Sequence, residues 1–297
     1  MMTPKDHLIH RMRAYLNERF PPLSYTILVT LFFGSGVLFA RALSSDLPSL
    51  SPVVALGAGV VWLVFFHLRV FDEHKDHEQD AQAHPDRLLS RGVVTLPLLA
   101  RLAGLALLAE ASASAVIGPR ALLWWALTAG FTVAMRFEFG VGAFLNRHLL
   151  LYAVTHNPVV GLLAMYAWAC SGADFSVELL WFVGAASLAS LAFEIGRKTR
   201  QPEEEIEGVD SYSSVYGRNN VSIVLRLIMV AGVICAGSAV SVVVTDGPQL
   251  WGAVGALAVS LGVGMSSARN SQSAKRVELG STIFLLGLLL AMGIASW

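Results

Sequence analysis

The sequence predicts an all-α, polytopic membrane protein with nine transmembrane helices behind an N-terminal interfacial amphipathic helix. Three observations predict it. Of 297 residues, 55% are hydrophobic and only 14% charged, and the mean hydropathy of +0.61 exceeds what a water-soluble domain carries. The apolar residues fall in long blocks separated by short charged segments. Nine of those blocks reach the ~19–20 residues needed to cross a ~30 Å hydrocarbon core as a helix.

In order along the chain, residues 1–23 precede the first block. Leu8, Met12, Tyr15, Leu16 and Phe20 recur there at helical spacing among Lys5, Arg11, Arg13 and Arg19, the pattern of a helix lying on the membrane surface. The segment is longer and more charged than the start of a cleavable signal, and no small-residue cleavage site follows the next block. Predicted spans then cover 24–43, 49–71, 93–115, 119–136, 149–170, 176–196, 219–244, 248–268 and 277–297. Asn157-Pro158 marks a kink in the fifth. With no Pro/Gly/Ser-rich linker, residues 24–297 read as a single transmembrane domain.

Lys and Arg set the orientation. Four precede the first span, four lie in the second loop, two in the fourth, four in the sixth and three in the eighth, against only Arg41 and Arg120 in the alternate loops. The N-terminus is therefore expected in the cytoplasm and the C-terminus on the far side. The two most polar segments, 69–92 and 194–218, share the cytoplasmic face, where they can converge on one site. The 21 Lys plus Arg balance 21 Asp plus Glu, which excludes electrostatic nucleic-acid binding as the main activity. Cys170 and Cys235 lie in apolar stretches and support neither a disulfide framework nor a cysteine zinc site.

Residues 69–92 read RVFDEHKDHEQDAQAHPDRLLSRG. Asp72, Asp76 and Asp80 stand at i, i+4 and i+8, which lines three carboxylates along one helical stripe, with Glu73 and His77 beside them. Crowded carboxylates repel unless cations sit among them, and hard oxygen ligands suit Mg²⁺. An ordinary solvated loop is the plainer reading. Against it, the acids begin at a membrane-embedded helix end, where charge is expensive, and Arg87 and Arg91 follow with chemistry suited to phosphate oxygens. His74 and His77 alone make a weak transition-metal signal. The second segment, 193–218, carries Glu194, then Arg197, Lys198 and Arg200, then Pro202 and the acids Glu203, Glu204, Glu205 and Glu207. By itself it reads equally as a solvated loop.

Together the two segments resemble the UbiA superfamily of intramembrane prenyltransferases. The family's N-D-x-x-D-x-x-x-D motif at the end of the second helix is matched by Asp72-Glu73-His74-Lys75-Asp76-His77-Glu78-Gln79-Asp80. Its N-P-x-R-P-L-x-x-G stretch is matched loosely by His84-Pro85-Asp86-Arg87-Leu88-Leu89-Ser90-Arg91-Gly92, and the later part of its second motif by Gly208-Val209-Asp210-Ser211-Tyr212 through Gly217. The nine predicted spans agree with the family's nine helices. One departure bears on mechanism: where the family has D-x-x-x-D on the sixth helix, this chain has Glu194-Ile195-Gly196-Arg197-Lys198. Arg197 or Lys198 taking over part of a metal's role, Glu203 or Glu204 supplying the missing ligand, and loss of activity all remain open.

The resemblance implies helices around a central apolar chamber and Mg²⁺ held by acids drawn from Asp72, Glu73, Asp76, Asp80, Glu194 and Glu204. Asp72, Asp76 and Asp80 are the implied catalytic acids, and Arg69, Arg87, Arg197 and Lys198 the implied contacts to the diphosphate of an isoprenoid donor. Phe65, Phe66, Tyr152, Trp124 and Trp168 are candidates for steadying an allylic cation, with helix packing the commoner role for such rings. Arg136, Glu138 and Arg147 are candidates for placing an acceptor. Transfer to an aromatic or lipid-like acceptor makes a prenyltransferase; quenching by the donor's own double bonds makes a terpene cyclase. A metal- or proton-coupled transporter is the rival from another class. It fits less well because the in-span ionisable groups, Arg101, Glu110 and Arg226, show no obvious pairing.

Overall fold

The computed structural model describes residues 3, 6–44, 51–205, 210–269 and 273–297, all helix and connecting loop. Lys5, Glu207, Gly208 and Val209, which enter the sequence reading, lie outside the described residues. The chain packs as two compact units, Met1–Thr30 with Ala55–Gly140 and Leu31–Val54 with Val141–Trp297.

The first unit holds α1 (Leu8–Arg19), the start of α2 (Pro22–Leu43), most of α3 (Pro52–Lys75), then α4 (His77–Ala83), α5 (Leu96–Ile117) and α6 (Pro119–Arg136). Its core gathers Tyr15 and Phe20 with Phe66, Val70, Phe71, Leu88, Leu89, Val93, Val94 and Leu99. The amphipathic stripe of α1 is therefore spent largely on protein: Tyr15 and Phe20 are fully buried, with Met12 and Leu16 against the same core, while Leu8 and Ile9 stay exposed. Burying such rings contributes about 1.5–3 kcal/mol each, more than a surface position offers. Gly118 alone joins α5 to α6, with a φ of 144° that a side chain rarely adopts, and Pro119 starts the next helix with φ already set.

Inside this unit Glu110, for which the sequence offered no obvious pairing, has side-chain partners. His67 Nδ1 lies 2.8 Å from Glu110 Oε1, the Trp125 indole donates to Glu110 Oε2 at 3.0 Å, and His67 Nε2 meets Thr132 Oγ1 at 3.0 Å. His67, Glu110 and Thr132 are fully buried. A polar group in an apolar interior is tolerated when each lone pair and proton finds a partner, and this network supplies them.

The second unit holds the rest of α2 and α7 (Gly142–Leu145), α8 (Leu149–His156), α9 (Pro158–Ser171), α10 (Leu179–Arg197), α11 (Tyr212–Tyr216), α12 (Arg218–Val243), α13 (Gly247–Arg269) and α14 (Ala274–Ala295). At the predicted kink the helix is interrupted. Pro158, lacking an N–H, ends α8 and starts α9, and Asn157 donates to the Ser187 carbonyl at 3.0 Å. Helix packing rests on small residues: a Cβ at Gly280 or Gly287 of α14 would strike Ser267 or Ser260 of α13, and one at Gly196 of α10 would strike Ser281 of α14. Spacings of seven residues on both α13 and α14 keep the contacts on one seam, the close approach that membrane helices use in place of a hydrophobic drive.

Among the described residues eight helices, the α8–α9 pair counting as one, are long and apolar enough to span a membrane, and they match eight of the nine predicted spans. The ninth stretch, 119–136, forms α6, 18 residues closed by Arg120 and Arg136 and carrying buried Thr128 and Thr132, so it falls below the others in hydropathy. The protein is an integral, multi-pass membrane protein.

Candidate functional site

The first polar segment straddles a helix break. α3 ends at Lys75, and Asp76, with φ −97° and ψ 8°, precedes α4. The i→i+4 backbone bonds nevertheless run through it: Asp76 N donates to Asp72 O at 2.9 Å, Asp80 N to Asp76 O at 2.8 Å and His84 N to Asp80 O at 2.8 Å. The backbone thus keeps the predicted register of the acidic stripe, but the side chains take different partners.

Glu73, 2% exposed, accepts from Arg19 Nε at 2.6 Å and from Arg69 NH2 at 2.9 Å. Asp80 takes Arg19 NH2 at 2.9 Å and Arg87 NH1 at 2.6 Å. Cation and anion alternate along Arg69, Glu73, Arg19, Asp80 and Arg87, which answers the repulsion expected among crowded acids. Burial alone would raise the Asp80 carboxyl, but the hydrogen bond from Arg19 and the charges of Arg87 and Arg19 outweigh it and hold the group below its ordinary range. Arg19 is the residue that sequence reasoning missed here. It was visible only as one of four Lys and Arg residues in the N-terminal segment, and its partners lie 54 and 61 residues away. α1 is also held to the loop after α4, where Glu18 accepts from Leu88 N at 3.2 Å and Arg11 Nε donates to Val93 O at 2.7 Å.

The Asp72 side chain is 51% exposed and 3.7 Å from Lys75 Nζ. Beside it, Phe71 carries the Arg136 guanidinium 5.1 Å from its ring centroid. His74 Nδ1 is spent on the Val70 carbonyl at 2.8 Å, so the His74–His77 reading gains nothing. Among the described residues no three His, Cys, Asp or Glu side chains are grouped as a metal centre. Magnesium asks for less, one or two carboxylates with water and substrate oxygens completing its shell. Asp72 and Asp76, one helical turn apart, fit it in donor type.

In the second unit, Glu194 near the end of α10 is held by two cations. Arg197 Nε donates to Oε2 at 2.6 Å, and Lys198 Nζ sits 2.9 Å from Oε1. The departure from two acids thus forms a local Glu–Arg–Lys cluster. The following loop returns to it, with Tyr212 N donating to Lys198 O at 3.2 Å and Arg200 N to Ser213 Oγ at 2.7 Å. Burial pushes the Tyr212 phenol above its ordinary range, and the negative charge of Glu194 adds to the effect.

The acidic run divides its work. Glu203 is exposed. Glu204 turns to the backbone, accepting from Gln201 N and from Ala274 N at the start of α14, both at 3.1 Å, a favourable place for a carboxylate at a helix N-terminus. Glu205 Oε1 accepts from Ser211 Oγ at 2.7 Å and Ser213 Oγ at 3.0 Å. Beyond them Gly217, with φ 76°, opens α12, and Gly217, Arg218, Asn219 and Asn220 line a cavity of about 580 Å³. Asn219 and Asn220 carried no signal of their own in the sequence.

The pattern of the UbiA prenyltransferase family matches residues 27–294, nearly the whole chain. The chain belongs to that family. Two solved structures share its fold. One is of a digeranylgeranylglyceryl phosphate synthase, at TM-score 0.64 and 16% identity over 97% of this chain and 99% of that one. The other is an apo UbiA homologue from Aeropyrum pernix K1, at TM-score 0.69 and 17% identity over 92% and 96%. Comparison with curated proteins by sequence finds no match. Several of the aromatics that UbiA resemblance singles out are occupied in packing: Phe66 lies edge-on to Phe20 at 5.6 Å, Tyr152 stacks on His156 at 4.0 Å and Trp168 donates to the Asp174 carbonyl.

Proposed function

We propose that this UbiA protein is a Mg²⁺-dependent intramembrane prenyltransferase that ionises an isoprenoid allylic diphosphate and passes the prenyl group to an aromatic or lipid-like acceptor. The observation that carries the reading is the first polar segment, where the open Asp72 and the adjacent Asp76 stand beside arginines already organised by Glu73 and Asp80.

In this reading Asp72 and Asp76 hold the ion, which when bound neutralises charge gathering on the leaving diphosphate. Glu73 and Asp80 position Arg69 and Arg87, whose forked N–H groups meet phosphate oxygens. Arg197 and Lys198, set by Glu194, carry the same phosphate-directed chemistry. The allylic C–O bond breaks with its electron pair leaving on the diphosphate; the acceptor forms the new C–C or C–O bond and releases a proton. The surrounding apolar helices keep water from the cation. The acid and arginine segments face the cytoplasm in this scheme.

The test incubates membranes carrying the full chain with Mg²⁺ and a panel of allylic diphosphates, with and without quinone-precursor and lipid acceptors, and measures released diphosphate and products. Acceptor-dependent turnover, lost in Asp76→Asn with membrane insertion intact, supports the reading. Cyclic hydrocarbons or alcohols without acceptor would make the protein a terpene cyclase, and full activity of Asp76→Asn would remove the metal role.

A further inference from the structure

A cavity of about 450 Å³ in the second unit is lined by Arg226 of α12 and Met265, Ser266 and Arg269 of α13. The two arginines are brought to one level by a single residue. Ser222 Oγ donates to the Ala268 carbonyl at 2.7 Å, tying α12 to α13 beside Arg269, and the Ser222 carbonyl accepts from Arg226 Nε at 3.1 Å, folding that side chain toward the same end. Among the described residues no carboxylate pairs with either guanidinium, and the adjoining Asn270, Ser271 and Gln272 bring none by sequence.

Two cations lining one cavity without an anion are unfavourable in a spanning segment, and Arg226 lies eight residues into α12, about 12 Å from its start. Because α12 has 26 residues, about 39 Å, against a ~30 Å hydrocarbon core, about 9 Å of it extends beyond the core, and the Arg226 side chain, folded back onto the Ser222 carbonyl about 6 Å from the helix start, brings its guanidinium to the boundary between acyl chains and headgroups. Arg269 ends its helix at the same boundary. Forked guanidinium groups match phosphate oxygens, the Ser266 hydroxyl adds a donor, and Met265 offers an apolar wall for an attached chain. We propose that this cavity binds a phosphate group, presented by an anionic phospholipid of the surrounding bilayer. The site shares no residue with the acidic stripe.

The experiment is native mass spectrometry of the full chain in neutral detergent, titrated separately with phosphatidylglycerol, phosphatidylcholine and inorganic phosphate. Phosphatidylglycerol is expected to be retained at least tenfold better than phosphatidylcholine, and Arg226→Gln and Arg269→Gln are each expected to lose about tenfold of that retention. Arg269 is exposed at a helix end, so its variant keeps the test valid if Arg226→Gln fails to fold. Retention of inorganic phosphate alone, lost in the same variants, would keep the phosphate site but assign it to a soluble anion. Phosphatidylglycerol binding unchanged in both variants, or no phosphate-bearing ligand bound by the wild type, overturns the proposal.

Discussion

Replacing Arg19 with methionine removes one guanidinium while keeping most of the stem. In the structure that group sits 2.6 Å from Glu73, whose side chain is 2% exposed, and 2.9 Å from Asp80, 29% exposed. A hydrogen bond to a buried charged group contributes about 1.5–3 kcal/mol. The wetter Asp80 contact falls toward the screened range, about 0–1 kcal/mol. Stripping a buried charge of its only partner costs about 3–5 kcal/mol, but Glu73 keeps Arg69 at 2.9 Å. Arg19→Met is therefore expected to destabilise the protein by about 2–3 kcal/mol. Reversible unfolding in mixed detergent micelles measures this, and a cycle with Glu73→Gln should return a coupling of about 1.5–2 kcal/mol. Because the same residue holds α1 against the acidic segment, trypsin should also cut faster at Arg11 and Arg13. A destabilisation below about 0.5 kcal/mol with no coupling would refute the idea that the alternating network secures α1.

Three other outcomes follow from the geometry. Glu110→Leu strands a fully buried His67 and should cost about 3–5 kcal/mol, while adding His67→Leu should recover most of it; equal losses in the single and double variants would count against the pair. Gly280→Leu drives a side chain into Ser267 across the α13–α14 seam and should cost at least about 1–3 kcal/mol, read from detergent unfolding; wild-type stability would show that the seam is loose. Asp80 is held below its ordinary 3.8, so its contribution is fully present above that value and is lost as the pH falls through the lower folded value; Asp80→Asn should flatten the acid limb of the stability–pH curve, and an unchanged limb would contradict this.

Much of the architecture was written locally. Eight of the predicted spans are helices within a few residues of their expected bounds, because apolar length and the positions of Pro and charge are properties of contiguous sequence. The acidic stripe kept its register for the same reason, since i→i+4 backbone bonds depend only on neighbours. α6 also forms on its predicted bounds, 119–136; arginines close both its ends and its Thr132 turns inward to a buried histidine, while Leu122, Leu123, Leu127 and Val133 stay exposed.

Side-chain partnership was beyond local reading. The resemblance implied one metal-binding role for Glu73, Asp80 and Glu204 alike; in the structure their partners differ, Arg19 and Arg69 for Glu73, Arg19 and Arg87 for Asp80, and the backbone of Gln201 and Ala274 for Glu204. His67 and Glu110, 43 residues apart, meet only because α3 and α5 share one unit. Secondary structure and membrane spans follow from short-range sterics and transfer energy, which sum along the chain. The partner of a charge follows from which helices pack together, a choice made by small-residue seams and buried rings far from the charge itself.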